Sequence, residues 1–188
     1  RQALQRLVDR GFLTRRRGVG TIVSPRHVHR PMELSSLMRD LVEAGHKVHT
    51  TIQRYEARPA TAQEADILKI TEGTLIVHIE RTRFANDEPI AVLTNFIPTD
   101  IAPTMQELES ASLYDLMRER GVTLASARQV IGARSATTKE AKLLSEHRGA
   151  ALLTTQRTTY DPSGRIVEYG NHIYRASRYS FEASLFAQ

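Results

Sequence analysis

The sequence predicts an α+β protein, an antiparallel sheet flanked by helices and entered through a short basic helix and hairpin. Three observations carry that reading. Alternation of apolar and polar residues marks strands at 48–57, 74–85, 89–97, 122–135, 150–160 and 165–176. The helical patterns between them are short and led by Thr or Ser. The order strand, Thr-led helix, strand pair occurs twice, over 48–97 and 122–176, as a weak internal repeat.

At the start, Ala3, Leu4, Leu7 and Val8 stand at helical spacing and Gly11 stops the helix. No N-cap and no initiator Met precede Arg1, so the chain is expected to begin inside an element. Phe12 to Thr14 and Thr21 to Val23 form two β-prone runs around Arg15-Arg16-Arg17-Gly18-Val19-Gly20, a hairpin with a basic tip. Ser24-Pro25 through Arg30-Pro31 is polar and aperiodic, which places a linker at 24–32 between a domain at 1–23 and another at 33–188. A helix stripe of Leu34, Leu37, Met38 and Leu41 then ends at Gly45.

Thr61-Ala62-Gln63-Glu64 has capping-box spacing and opens a helix that turns Ala65 and Leu68 inward. The strands on either side of Asn86-Asp87-Glu88 follow. Helices are expected at 104–109 and 112–120, the second stopped by Gly121, and another Thr-led helix at 138–146. Asp161-Pro162-Ser163-Gly164 joins the last two long strands as a hairpin turn.

Charge is distributed unevenly. Residues 1–30 hold eight arginines against one acid, Asp9, whereas acids slightly outnumber bases in the remainder. A polyanion partner is implied for the basic end alone. With no cysteine, disulfides, thiolate metal sites and cysteine nucleophiles are excluded. No apolar run reaches the roughly 20 residues of a membrane helix, and residues 1–4 lack a secretory pattern, so a cytoplasmic protein without membrane contact is expected.

In the strand from Leu75, alternation puts Val77, Ile79, Arg81 and Arg83 on one face. Two guanidiniums thus continue an apolar face. Burying them is costly unless an anion answers, and a pair two residues apart can grip one phosphate or carboxylate. An internal acid such as Glu168 is the alternative answer. Ser112 reads as the N-cap of the next helix with Asp115 as a box-like partner, and ordinary capping explains it equally well. Glu168, His172 and Tyr174 share a strand face and offer an acceptor, an imidazole and a hydroxyl. His46 and His49 would point to opposite faces, so no metal site is expected, and no nucleotide-binding Gly loop or Ser-His-Asp order occurs.

The run Arg1-Gln2-Ala3-Leu4-Gln5-Arg6-Leu7 through Gly18-Val19-Gly20-Thr21-Ile22-Val23 resembles the recognition helix and wing of the GntR family of regulators. The remainder resembles the UTRA effector domain of the HutC subfamily, similar in fold to chorismate lyase. Arg81-x-Arg83, Pro89 to Pro98, Ser112-Leu113-Tyr114, Glu168-Tyr169, Tyr174-Arg175 and Arg178-Tyr179 carry that likeness, in order. The resemblance implies a partial winged helix-turn-helix ahead of a chorismate-lyase-like domain. It implies a cofactor-free homodimeric repressor on an inverted-repeat, double-stranded DNA operator, controlled by a small anionic effector such as a sugar phosphate or carboxylate.

In such a winged helix Arg1 and Gln2 lie at the major groove, Arg15, Arg16 and Arg17 surround phosphates, and Gly18, Gly20 and Thr21 form a wing tip whose backbone approaches closely. The effector positions implied are Arg81, Arg83, Ser112, Tyr114, Glu168, Tyr174 and Arg178. Amino-sugar-phosphate sensors of the family use an acid matching Glu168. Where many relatives carry a second Glu, this chain has Leu93. Two other functions fit the same residues: a chorismate-lyase-like enzyme acting on a small carboxylated substrate, and a metabolite-binding module with no DNA role.

Overall fold

A computed structural model describes residues 13–16, 20–23, 28–31 and 34–183. The chain divides into two compact units, residues 33–175 and residues 1–32 with 176–188.

The larger unit is built on six antiparallel strands. They are β4 (Val48–Pro59), β5 (Leu75–Ala85), β6 (Glu88–Pro98), β7 (Ser126–Ser135), β8 (Ala151–Tyr160) and β9 (Ile166–Arg175), in spatial order β4-β5-β6-β9-β8-β7. That order is the expected repeat made visible, two three-stranded halves meeting at β6 and β9. Each half contains one Thr-led helix, α2 (Ala62–Leu68) or α5 (Thr138–Leu143). The helix α1 (Leu37–Glu43) precedes the sheet, with Leu37 and Leu41 buried.

The repeat extends to side chains. Arg58-x-Ala60-Thr61-x-x-Glu64-Ala65 returns as Arg134-x-Ala136-Thr137-x-x-Glu140-Ala141. Both threonines complete capping boxes. Arg58 grips Glu64 at 2.6 and 2.8 Å, and Arg134 grips Glu140 at the same two distances. These hydrogen-bonded guanidiniums, helped by the threonine caps, hold both carboxyls at about 2, well below their ordinary 4.5. A depressed carboxylate stabilises the fold above its unfolded value, and the contribution is lost as pH falls from 4.5 towards 2. Glu64→Gln is therefore expected to cost roughly 1–3 kcal/mol at pH 7. Urea melts should show the gap from wild type closing as the pH drops through that window; a gap independent of pH would remove the ion pair as its cause.

The face of the sheet carrying Ile76, Val92, Leu152 and Ile173 is covered by α2 and α5, through Ala65, Leu68, Ala141 and Leu144. The opposite face carries Val77, Ile79 and Ile97, and is covered by α3 (Met105–Ser110) and α4 (Leu113–Glu119) through Leu108, Leu113, Leu116 and Met117. The β5–β6 turn is tight because Asn86 and Asp87 both adopt positive φ (52° and 65°), the conformation that suits a two-residue hairpin.

Two element boundaries and one helix cap are among the departures from the sequence reading. The strand expected from 122 begins at Ser126, because Val122 and Leu124 pack into the helical core instead of pairing. The helix expected to reach 146 ends at Leu143, where Leu144 caps it and Ser145 turns to φ 52°. Asp115 does not close a box on Ser112: its carboxylate bonds Arg118 at 2.8 Å, and only the Asp115 N–H reaches Ser112 Oγ, at 3.4 Å.

In the smaller unit, β1 (Leu13–Arg16) and β2 (Gly20–Val23) form the expected hairpin. The stretch read as a linker contains β3 (Val28–Pro31), paired in parallel with β10 (Tyr179–Glu182). Residues 176–188, grouped by sequence order with the larger domain, thus fall in the smaller unit. Parallel pairing between segments so far apart leaves no local signature.

Candidate functional site

Strand alternation and register gather polar side chains under α4. Across the sheet Arg83 is level with Ala91 and Tyr174, Arg81 with Leu93, His172 and Thr155, and Ile79 with Asn95, Gly170, Arg157 and Gln129. Thr159 is level with Glu168. Cross-strand partners share a face, so these residues meet on the side where Val77 and Ile79 supply apolar packing. Arg81, Arg83, Asn95, Arg157, Thr159, Glu168, His172 and Tyr174 are all buried.

Glu168 is the hub. Its Oε1 accepts from Asn95 Nδ2 at 2.6 Å; its Oε2 accepts from Thr159 Oγ1 at 2.7 Å and from the Tyr114 hydroxyl at 3.2 Å. Asn95 in turn accepts from Arg81 Nη2 at 2.8 Å. Arg157 donates Nη1 to the Tyr114 oxygen at 3.3 Å and Nε to Gln129 at 2.7 Å. Arg81 reaches Glu168 through one neutral side chain, Asn95, and Arg157 bonds the Tyr114 oxygen that donates to Glu168.

Gly170 makes the arrangement possible. A Cβ there would lie 2.3 Å from His172 Nε2 and 2.6 Å from Glu168 Oε1, so the missing side chain leaves room for both groups.

The electrostatics are unbalanced. Burial pushes the Glu168 carboxyl up, against the lowering effects of its donors and of Arg157. It pushes Tyr114 up to about 12, with Glu168 adding to the rise. Arg81 is lowered to about 10 by burial, partly offset by Glu168. Arg83 is lowered to about 9 by burial and by the neighbouring charge of Arg81. Both remain cationic at neutral pH. Arg83 bonds Thr50 Oγ1, a neutral group. Arg81 Nε and Nη1 and Arg83 Nε are out of solvent without a hydrogen-bond partner. Arg81 and Arg83 are thus buried, charged and incompletely hydrogen-bonded. Such an arrangement is costly when empty and receptive to an anion. Arg175, by contrast, is answered in full by Glu146 and Glu88, both at 2.9 Å.

Of the expected effector residues, Arg81, Arg83, Tyr114 and Glu168 lie in this cluster, and Tyr174 is buried on the same face beside His172, ring edge to ring at 6.4 Å. Ser112 is buried at the start of α4, two residues before Tyr114, with its hydroxyl engaged in capping. Arg178 is half-buried in the turn after β9 and belongs to the smaller unit. Sequence reasoning missed Arg157, Thr159, Gln129, Thr50 and the role of Gly170. The repeat held a signal for one of them: Gln156-Arg157-Thr158 of β8 occupies the place of Glu80-Arg81-Thr82 in β5.

At the basic end, Arg15 and Arg16 stand on β1 opposite Thr21 and Gly20 of β2, and Gly20 takes φ +100°, a conformation that favours glycine. Gly20 and Thr21 are exposed. Arg1, Gln2, Arg17 and Gly18, with the expected recognition helix, lie outside the described residues. Among the described residues no group of His, Asp and Glu is arranged to hold a metal ion, and no helix is long and apolar enough to cross a membrane.

Comparison with known proteins agrees with this fold. The UTRA domain model matches residues 43–180. The HTH-type transcriptional repressor NagR of Bacillus subtilis is 34% identical over 184 residues, covering 96% of this chain and 76% of that protein. A crystal structure of a putative transcriptional regulator from Streptomyces coelicolor shares 47% identity over 76% of this chain and 96% of its own, with a TM-score of 0.69. The crystal structure of PhnF from Mycobacterium smegmatis, at 24% identity, shows the same fold over 100% of this chain and 84% of its own, with a TM-score of 0.89. The matching domain model and the similarity to named repressors place this sheet in a regulator and not in an enzyme: the chain belongs to the UTRA-domain transcriptional repressors of the GntR family, HutC type.

Proposed function

We propose that this protein is a repressor that binds an inverted-repeat operator as a homodimer, and that a small anionic metabolite bound within the larger unit controls that binding. The observation that carries the proposal is a pair of buried guanidiniums, Arg81 and Arg83, with three nitrogens between them that have no hydrogen-bond partner. Arg81 and Arg83 take the anionic group, a phosphate, phosphonate or carboxylate. Glu168, Tyr114 and Tyr174 read the polar remainder, with Ser112 at the rim. The presence of Leu93 in place of a second acid turns the remainder of the ligand towards fewer hydrogen-bond donors. Residues 1–23 bind DNA, with Arg1 and Gln2 at the groove and Arg15, Arg16, Arg17, Gly18, Gly20 and Thr21 at the backbone.

The test is a panel of sugar phosphates, phosphonates and carboxylates, added first to a thermal melt and then to a gel shift on the protein's own promoter DNA. One class should raise the melting temperature and change the DNA complex. Binding should weaken steeply with salt through counterion release, and the triple change Arg15→Ala, Arg16→Ala, Arg17→Ala should flatten the slope. A panel without effect in either assay rejects the sensor; an unchanged salt slope removes the wing from the DNA interface.

A further inference from the structure

The internal repeat singles out one side chain that packing does not explain. With Gln156-Arg157-Thr158 of β8 in the place of Glu80-Arg81-Thr82 in β5, Thr155 stands where the first half has Ile79, and Thr159 where it has Arg83. Ile79 and Thr155 are both fully buried. In the first half this place takes an aliphatic side chain at no polar cost. A hydroxyl in it must be hydrogen-bonded or it destabilises the fold.

Thr155 Oγ1 is out of solvent and has no hydrogen-bond partner among the described residues. Its polar neighbours along the strand are committed elsewhere: Arg157 donates to Gln129 and to the Tyr114 oxygen, and Thr159 donates to Glu168. Across the sheet Thr155 is level with Ile131 on one side and with His172, Leu93 and Arg81 on the other. It therefore shares the face of Arg81 and Arg83. Unpartnered polar atoms thus stand on both halves of this face: Arg81 Nε and Nη1 with Arg83 Nε on β5, and Thr155 Oγ1 on β8.

In the order β5-β6-β9-β8, three strand steps of about 4.8 Å separate the two, roughly 14 Å in all. The Arg81 side chain covers the first step, since its Nη2 reaches Asn95 on β6 at 2.8 Å. What remains is roughly 10 Å, the span of an anionic group, a chain of about three or four carbons and a hydrogen bond at each end. Leu93 and His172 lie in the row between, an aliphatic side chain and a flat ring that suit a carbon chain.

We propose that Thr155 is a specificity-determining residue of the effector site, its hydroxyl pairing with a terminal hydroxyl of a ligand whose anionic group Arg81 and Arg83 hold at the other end. The proposal rests on the anion site of the proposed function and adds its far end. The effector is then a hydroxylated phosphate, phosphonate or carboxylate and not a bare alkyl anion. Discrimination arises because a ligand without the hydroxyl leaves Thr155 buried and unpaired, whereas the right ligand supplies the partner that the fold withholds.

The test pairs a change in the ligand with a change in the protein. Calorimetric titration of the full chain with butyl phosphate and with its terminally hydroxylated form should show the wild type preferring the hydroxylated compound by roughly tenfold. Thr155→Val keeps the shape of the side chain and removes the hydroxyl, and it should bind the two phosphates within about twofold of each other. Thermal melts should find this variant no less stable than wild type, because an unpaired buried hydroxyl has been removed. Thr154→Val, on the opposite face of the same strand, should keep the full preference. A wild type that binds both phosphates equally, or a Thr155→Val protein that retains the preference, overturns the role of Thr155 and leaves the anion site standing. A lower melting temperature for Thr155→Val places the hydroxyl's partner inside the fold and overturns it as well. A wild type that binds neither compound, nor inorganic phosphate, nor any anion of the panel rejects the anion site itself, and the role of Thr155 with it.

Discussion

Replacing Arg83 by methionine is expected to raise the melting temperature of the ligand-free protein while abolishing its response to an anionic effector. The guanidinium is 2% exposed, its nearest charged neighbour is another arginine, and its one hydrogen-bond partner is a threonine. Methionine fills a similar volume without a charge to desolvate. Exchanges of buried ions for apolar residues are commonly neutral or stabilising by about 1–4 kcal/mol. Losing one partner of a buried charged contact costs about 2–4 kcal/mol of binding, some thirty- to thousandfold in affinity. Arg81→Ala should weaken effector binding to a similar extent, with a smaller gain in stability because Asn95 loses its donor. Thermal melts of both variants, with and without the effector found in the panel, provide the measurement. A fall in melting temperature with an intact ligand response would make these arginines structural braces and refute the pocket.

Gly170→Ala is expected to damage fold and sensing together. The added methyl would sit 2.3 Å from His172 Nε2 and 2.6 Å from Glu168 Oε1, well inside contact distance. Glu168 is held by three donors and has no free direction in which to swing. Overpacking of this kind costs about 1–3 kcal/mol. Because the displaced carboxylate also anchors Asn95 and Tyr114, effector affinity should fall at least tenfold with it. The check is a urea melt paired with an effector titration. Normal values in both would show that the sheet yields and that the room left by Gly170 carries no function.

The strands, the Thr-led helices and the pairing of Arg81 with Arg83 on one face were legible because they depend on neighbours in sequence. Period-two alternation fixes which side chains share a face, and a Thr three residues before a Glu caps a helix wherever it occurs. The family likeness likewise rested on short local motifs. The composition of the cluster was not legible. Asn95, Thr159 and Arg157 come from strands that meet Glu168 only after β6 and β9 pair at the junction of the halves. That pairing joins segments far apart in sequence, and no local rule sets its register. Read along the chain, Glu168 stood as an internal acid able to answer the arginines directly; in the fold Asn95 stands between Arg81 and Glu168, and Arg81 and Arg83 keep nitrogens without a partner. The pairing of β3 with β10 has the same origin. Sequence by itself therefore determined the elements, their facing and the basic end, through local sterics and periodicity. Tertiary structure alone decided which polar groups meet one another, because that depends on long-range register and on burial.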